Sequence, residues 1–256
     1  MNFVKRIFFK TLRFAAIIAI VYLCLVGYLL LSERRLSFAR AESDKTSADT
    51  IKEYALRCQT KDGKWLQGWV SKDSLAPTVL YFADRGEDAA TFLAHAMRIP
   101  GFRFAGFNYR GSAGSEGSPG EKHYAEDIRA MVGCANAEGA IFLGHGTGAI
   151  AAYNSFKNAL GRGAVLVDPV ESFGDALSSR YRVFFPRFLS RTKTQMEFDS
   201  SAAPQALVIF DDPRKGAGVE SLIKNHPEAF HVLRRDGASL LDVLEKVLGE
   251  MSAGSR

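Results

Sequence analysis

Cysteine is scarce in this chain of 256 residues, which contains three cysteines, eight prolines and two tryptophans. Cys24 falls in a long apolar segment, which leaves Cys58 and Cys134 for the rest of the chain. No C-x-x-C pair and no Cys/His spacing typical of metal ligands is present, so the sequence predicts neither a metal site nor a cofactor. Two isolated cysteines do not form a disulfide framework, and we expect both to be small buried apolar residues.

The part of the chain after residue 40 lacks a strong charge of either sign. Residues 1–40 contain seven Lys or Arg residues and one acid, whereas the whole chain has a net charge of only +5. The remaining residues are therefore close to neutral. Nucleic-acid binding depends on a basic surface, so the sequence predicts no nucleic-acid partner.

Charge is also absent from Phe14 to Leu31, an apolar run of 18 residues. At about 1.5 Å per residue, such a helix covers most of a hydrocarbon core about 30 Å thick. We therefore predict a single transmembrane helix at 14–31, after a basic leader at 1–13 and before a polar juxtamembrane linker at 32–50. A cleaved signal peptide is the alternative, although its apolar region usually has only about 7–15 residues.

Basic residues are almost balanced on the two sides of this segment, so counting them discriminates poorly between the two orientations. A first apolar segment with a short basic leader usually keeps its N-terminus in the cytoplasm. The sequence thus predicts a single-pass membrane protein whose domain is extracytoplasmic, or periplasmic in a bacterium.

Strand-like and helix-like runs alternate over residues 51–251. Asp62-Gly63 joins two short apolar runs as a hairpin signal, and Thr78–Phe82 is typical of a strand buried on both faces. The segment Leu240–Leu248 has apolar residues at the period of a helix. This alternation predicts an α/β domain, with a mostly parallel sheet flanked by helices and an antiparallel N-terminal hairpin.

Two segments fall outside this alternation. Residues 171–199 are irregular and amphipathic, and we interpret them as a cap region. Residues 252–256 are predicted to form a disordered tail.

A glycine-rich turn interrupts the apolar run Ile141–Ile150 at Gly144, His145, Gly146, Thr147 and Gly148. A strand that enters such a turn and continues as a helix is the layout of a nucleophile elbow, G-x-S-x-G. The outer glycines keep the spacing, but Gly146 stands where the serine would be. A plain loop before a helix and a phosphate cradle at a helix N-terminus remain alternatives.

Residues 105–121 include Tyr109-Arg110-Gly111 and several Gly and Ser residues, and they resemble the loop after the fourth strand of α/β-hydrolases. The similarity is greatest to the membrane-anchored, serine-aminopeptidase-like members of that superfamily. Asp62-Gly63 with Leu66-Gln67-Gly68-Trp69 resembles their opening hairpin, and Phe198-Asp199-Ser200 resembles the segment before their seventh strand. The resemblance extends from about Thr50 to Leu248 and implies the α/β-hydrolase fold.

The resemblance also implies where a Ser–His–acid triad would lie. The nucleophile position is Gly146, the acid position is Arg214, and the base position falls at Ala238 in a loop without histidine. The oxyanion loop is at Ala83 and Asp84, where an inward carboxylate would oppose a developing oxyanion. All three triad positions are therefore substituted.

A relocated site is the remaining route to catalysis. Thr147 adjoins the elbow, His145 precedes its central residue, and Asp168 ends the sixth strand, where some hydrolases keep their acid. These three residues are the candidates for such a site.

The sequence thus supports two functional hypotheses. The first is a pseudo-hydrolase that binds a small apolar ligand in the vestigial pocket, or a protein partner over the cap. Its partner-binding surface would use the aromatic residues of the cap, which are Tyr181, Phe184, Phe185 and Phe188. The second hypothesis is an active serine-type esterase, lipase or peptidase with relocated catalytic residues.

Overall fold

An eight-stranded mixed sheet organises the chain in the computed structural model, which describes residues 2–73, 75–158, 161–198, 206–235 and 237–253. The strands are β1 (Ala55–Gln59), β2 (Trp65–Val70), β3 (Thr78–Phe82), β4 (Arg103–Phe107), β5 (Ala140–His145), β6 (Gly161–Val167), β7 (Ala206–Ile209) and β8 (Phe230–Leu233). The helices are α1 (Asn2–Ser37), α2 (Lys45–Thr50), α3 (Ala89–Ala96), α4 (Glu121–Cys134), α5 (Gly148–Lys157), α6 (Phe173–Tyr181), α7 (Gly216–Asn225) and α8 (Leu240–Ala253).

The strand order is β1-β2-β4-β3-β5-β6-β7-β8. β1 and β2 form an antiparallel hairpin, and β2 also pairs antiparallel with β4. All further pairs, from β4–β3 to β7–β8, are parallel. The predicted sheet is thereby confirmed, and β3 has the predicted bounds.

Helices cover both faces of the sheet, as the apolar runs of the strands require. Successive residues of β3 alternate between the two cores, because side chains of a strand point to opposite faces. Leu80 packs with α4 and α5, whereas Tyr81 packs with α3 and α8. The parallel strands place the loops after β3, β5, β6, β7 and β8 along the same edge of the sheet.

The last helix is longer than the prediction. α8 ends at Ala253, so the first two residues of the predicted tail are helical. The rest of that tail, residues 254–256, lies outside the described residues, as do Asp199 and Ser200.

The expectation that Cys58 and Cys134 stay unpaired is wrong. They form a disulfide with 5.7 Å between their Cα atoms, linking β1 to the end of α4 over 76 residues. Cys58 is fully buried, as expected. The pairing was not visible in the sequence because only the packing of α4 against the hairpin brings the two residues together.

α1 is a helix of 36 residues that is long and apolar enough to cross a membrane. Most of its side chains before Leu25 are exposed, whereas Leu29 and Glu33 near its end are buried against the domain. The Glu33 carboxylate accepts hydrogen bonds from the Arg191 and Thr192 N–H groups at 2.6 and 3.0 Å. Segment 32–50 therefore differs from the expected linker, since its first part packs onto the cap.

We expect the disulfide to stabilise the domain substantially, because it closes a long loop in the unfolded chain. Cys134→Ser should lower the free energy of unfolding by about 2–4 kcal/mol. Denaturant unfolding of the full chain in neutral detergent measures this difference. Cys24→Ser is the matched control and should leave stability unchanged, and equal stability of oxidised and reduced protein would contradict the prediction.

Candidate functional site

The loop between β5 and α5 has the geometry of a nucleophile elbow. Gly146 has a φ of +53°, the left-handed conformation that glycine adopts without strain. A β-carbon at Gly144 would overlap the backbone of Ala149, and one at Gly148 would overlap the Phe82 carbonyl. The outer glycines are thus needed for the close approach of α5 to the sheet.

The Asp84 carboxylate occupies the space in front of Gly146. A β-carbon built on Gly146 would overlap all three atoms of this carboxylate. Asp84 follows β3 in the predicted oxyanion loop, and its side chain turns inward. The volume that a nucleophilic side chain would need is therefore filled by another residue of the chain.

Asp84 also binds the backbone donors of the elbow. Its Oδ1 accepts the Thr147 N–H and the Arg85 N–H, each at 2.8 Å, and the Thr147 hydroxyl, also at 2.8 Å. In a nucleophile elbow, the N–H after the nucleophile and an N–H of the loop after β3 stabilise the oxyanion. Here both positions donate to an internal carboxylate.

The surroundings of Asp84 keep it ionised. Burial raises the pKa of its carboxyl, but the Thr147 N–H, the positive charges of Lys215 and His145, and the Thr147 hydroxyl lower it by more. The Lys215 ammonium lies 3.7 Å from Oδ2. The pKa of Asp84 therefore lies below its usual range, and the elbow contains a permanent negative charge.

His145 pairs with Glu87, a residue that the sequence analysis missed. The His145 Nδ1 lies 3.0 Å from Glu87 Oε2, which also accepts the Asp84 N–H at 3.0 Å. The Tyr81 hydroxyl donates to Glu87 Oε1 at 2.7 Å. Burial lowers the pKa of His145, but the hydrogen bond and the charge of Glu87 together raise it by more. The pKa of His145 therefore lies above its ordinary value.

Asp168 anchors the loop after β7. It is fully buried, has a φ of +44°, and accepts the Asp211 and Asp212 N–H groups at 2.8 Å each. Burial raises the pKa of Asp168, while the Asp212 N–H lowers it by less. Its carboxylate is therefore bound to backbone donors.

The three candidates for a relocated site are not joined. Among the described residues, no hydrogen bond connects Thr147, His145 and Asp168 to one another. Thr147 contacts Asp84, His145 contacts Glu87, and Asp168 contacts the loop after β7. The loops bring the three near one edge of the sheet, where each has a different partner.

The residues at the acid and base positions that the resemblance to α/β-hydrolases implies lie in or beside ion pairs. Arg214 is exposed and pairs with Asp212 at 2.8 Å. Arg235 forms an ion pair with Asp211 and also donates to the Ala238 carbonyl.

Arg110 fixes the loop after β4. Its guanidinium donates to Asp127 at 2.6 and 2.8 Å and to Asp62 at 2.7 and 2.8 Å. Asp62 belongs to the β1–β2 turn and Asp127 to α4, and Arg110 itself is buried. A buried bidentate contact of this kind holds three segments in register.

Phe38, at the end of α1, fills the pocket beside the elbow. It stacks on Phe173 of the cap with ring centroids 4.6 Å apart. Arg85 holds the arrangement by donating to the Leu36 and Ala176 carbonyls at 3.2 and 3.1 Å. The remaining cavity, between Phe38 and Thr147, has a volume of about 30 Å³. This leaves room for a few water molecules at most.

A larger cleft of about 530 Å³ opens above the elbow between α6 and α7. Its lining includes three carboxylates, those of Asp84, Glu171 and Asp175. Cations outnumber them, and these are Arg85, Arg180, Arg182, Arg187, Arg214 and Lys215. The cleft therefore has a positive lining, which favours a negatively charged ligand.

Solved structures share this architecture. An esterase of Pyrococcus furiosus superposes with a TM-score of 0.58 and 15% identity over 83% of this chain and 96% of that chain. A proline iminopeptidase-related protein of Thermus thermophilus has a TM-score of 0.55 and 16% identity over 78% and 96% of the two chains. A hydrolase of Pseudomonas aeruginosa has a TM-score of 0.56 and 15% identity over the same shares.

No protein-family description and no curated sequence matches the chain. The structural likeness at this low identity shows the fold, and the chain has the α/β-hydrolase fold that the motifs predicted.

The His145–Glu87 pair predicts a dependence of stability on pH. Because the pKa of His145 is higher in the folded than in the unfolded state, its protonation stabilises the fold below the unfolded pKa. This contribution is lost as the pH rises through the folded pKa. Chemical denaturation over a pH series should show that His145→Gln removes this loss.

The matched control is His231→Gln, which changes an exposed histidine of β8. It should keep the wild-type pH dependence. An imidazole of His145 that titrates below the ordinary histidine pKa in an NMR titration would contradict the prediction.

Proposed function

We propose that this α/β-hydrolase-fold protein acts by binding and does not hydrolyse esters or peptides. The observation that carries the proposal is the Asp84 carboxylate, which fills the space before Gly146 and accepts both elbow N–H groups. An oxyanion hole stabilises negative charge that develops in the transition state. A resident carboxylate repels such charge and occupies the donors that would bind it.

Loss of the serine oxygen by itself lowers the catalytic rate of a serine hydrolase greatly. In the serine protease subtilisin, removal of the nucleophilic serine lowers kcat about a million-fold. Here the acid and base positions are substituted as well. The site therefore lacks a serine nucleophile, a histidine at the base position and an open oxyanion hole at once.

A fluorophosphonate probe tests this proposal. The full chain should not be labelled, and Gly146→Ser should be neither labelled nor active on p-nitrophenyl acetate. The new side chain overlaps the Asp84 carboxylate. The left-handed backbone conformation at position 146 lowers the stability of the variant by a further ~1–2 kcal/mol. Labelling of the wild-type chain that is lost on substitution of one Ser or Thr would overturn the proposal.

The loss of stability in Gly146→Ser should be smaller when Asp84→Ala is added, because the overlap is then removed. Gly249→Ser in α8 is the matched control, since a β-carbon there meets nothing within 4 Å. It should leave the unfolding midpoint unchanged. Additive effects of the two elbow substitutions would show that Asp84 does not block this position.

Membrane anchoring through α1 and an extracytoplasmic domain complete the proposal. α1 is long and apolar enough to span a bilayer. The Cys58–Cys134 disulfide supports the outer location, because disulfides persist in oxidising compartments and are rare in the cytosol. An extracytoplasmic domain agrees with a cytoplasmic N-terminus, which the short basic leader at 1–13 favours.

The ligand that the site favours is an anion. The pocket that would have taken a small apolar ligand contains Phe38, whereas the cleft above the elbow is open and has a positive lining. Arg180 and Arg182 of that lining have no carboxylate partner among the described ion pairs. They are therefore free to neutralise a ligand such as a phosphate group.

Inorganic phosphate, titrated calorimetrically into the full chain in neutral detergent, tests the cleft. We expect saturable binding that weakens with salt and is lost when Arg180→Gln and Arg182→Gln are combined, because both charges face the cleft. Arg129→Gln, which removes an exposed charge of α4 outside the cleft, is the control. Equal heats in the wild type and the combined variant would contradict the assignment.

A further inference from the structure

Three apolar side chains in the middle of the cap region are exposed on the surface of the domain. Val183 and Phe184 lie in a short 3-10 helix at 182–184, and Phe188 lies in another at 187–189. Their exposed fractions are 73%, 40% and 84%. We refer to residues 182–189 as the cap tip.

The cap tip lies directly beside α1. The Tyr22 hydroxyl donates to the Val183 carbonyl at 2.9 Å, and the Tyr22 and Phe184 rings have centroids 5.8 Å apart. Closer to the end of the helix, Leu29 packs with Leu177 and Phe185 in a small apolar cluster. These contacts place Val183 and Phe184 at the level of Tyr22 along the helix.

That level falls within the apolar part of the helix. Tyr22 is nine residues before Leu31, the end of the uncharged run. At about 1.5 Å per residue, it lies about 14 Å below that end. If the uncharged run crosses the hydrocarbon, the cap tip lies in the hydrocarbon as well.

The charged residues before the uncharged run oppose a shift of the helix that would move Tyr22 out of the hydrocarbon. Arg13 immediately precedes Phe14, and Lys10 lies about one turn earlier. Moving Tyr22 out to the interface would draw both cations toward the bilayer centre, where each costs about 2.5–3.5 kcal/mol on insertion scales. Only Phe14–Val21 would then remain as an uncharged span, which is too short for a bilayer.

Arginines surround the cap tip. Arg182, Arg187 and Arg191 belong to it or follow it closely, and Arg191 pairs with Glu33 near the end of α1. Long cationic side chains of this kind keep their charge at the interface while their methylene groups cover apolar surface. Arg191 lies at the level of Glu33, beyond the end of the uncharged run, where the phosphate groups of a leaflet would lie.

We propose that the cap tip is inserted into the leaflet that faces the domain, with lipid as the occupant of its apolar surface. This inference rests on the proposed membrane anchoring and extends it, because the domain then contacts the bilayer through two elements. The exposed apolar residues of the cap tip thus face lipid and not a protein partner.

Spin-label accessibility tests the insertion in the full chain, reconstituted in phosphatidylcholine nanodiscs. Cys24→Ser removes the free thiol, and Cys58 and Cys134 are protected in their disulfide. Nitroxides on Val183→Cys and Phe188→Cys should collide readily with oxygen and poorly with an aqueous nickel chelate. Leu75→Cys, 97% exposed in the β2–β3 loop, is the aqueous control and should show the reverse.

A fourth label, on Ile17→Cys of α1, separates this inference from the proposed anchoring. If the Ile17 label is shielded from nickel and both cap labels are as accessible as that at Leu75, insertion is overturned and anchoring stands. If the Ile17 label is also aqueous, both proposals fail. Shielding of the Ile17 label and the two cap labels together supports the inference.

Discussion

The carboxylate of Asp84, held by the backbone N–H groups of Thr147 and Arg85, is the interaction on which the site depends. An elbow creates inward N–H donors because its chain turns sharply from a strand into a helix. Buried donors need partners, and an unsatisfied one costs about 1–3 kcal/mol. A hydrolase leaves these donors for a reaction intermediate, whereas this chain satisfies them permanently. The same carboxylate requires the smallest residue at 146.

The groups around Asp84 are bound to one another in the same way. Glu87 accepts hydrogen bonds from the Tyr81 hydroxyl and the Asp84 N–H, and it pairs with His145. Asp168 accepts hydrogen bonds from two backbone N–H groups. Groups with perturbed pKa values cluster at functional sites, but structural networks produce the same shifts. Here the shifts follow from the hydrogen bonds and ion pairs that hold the loops together.

The end of α1 joins the anchor to the domain. Glu33 binds the segment after the cap tip, and Phe38 stacks on Phe173 in the cavity beside the elbow. A membrane-spanning helix with a flexible linker would leave the domain free to tumble. These contacts instead hold the end of α1 against the cap.

The sequence by itself determined the local features. The apolar runs defined β2 and β3, the helical period defined α8, and the spacing of Gly144 and Gly148 defined the elbow, because each depends on residues adjacent in the chain. It also led to the prediction that Gly146, Arg214 and Ala238 take the positions of a catalytic triad. The direction of the Asp84 side chain was only a conditional expectation, since it depends on Thr147, 63 residues away.

Only the tertiary structure decided which distant residues meet. The Cys58–Cys134 disulfide, the Glu87–His145 pair and the Phe38 contact with Phe173 join segments that pattern and propensity cannot relate. The packing of helices on the sheet brings these segments together, and that packing is set by the whole core. The sequence determined that a glycine stands at the centre of the elbow, and the fold decided that the Asp84 carboxylate occupies the space in front of it.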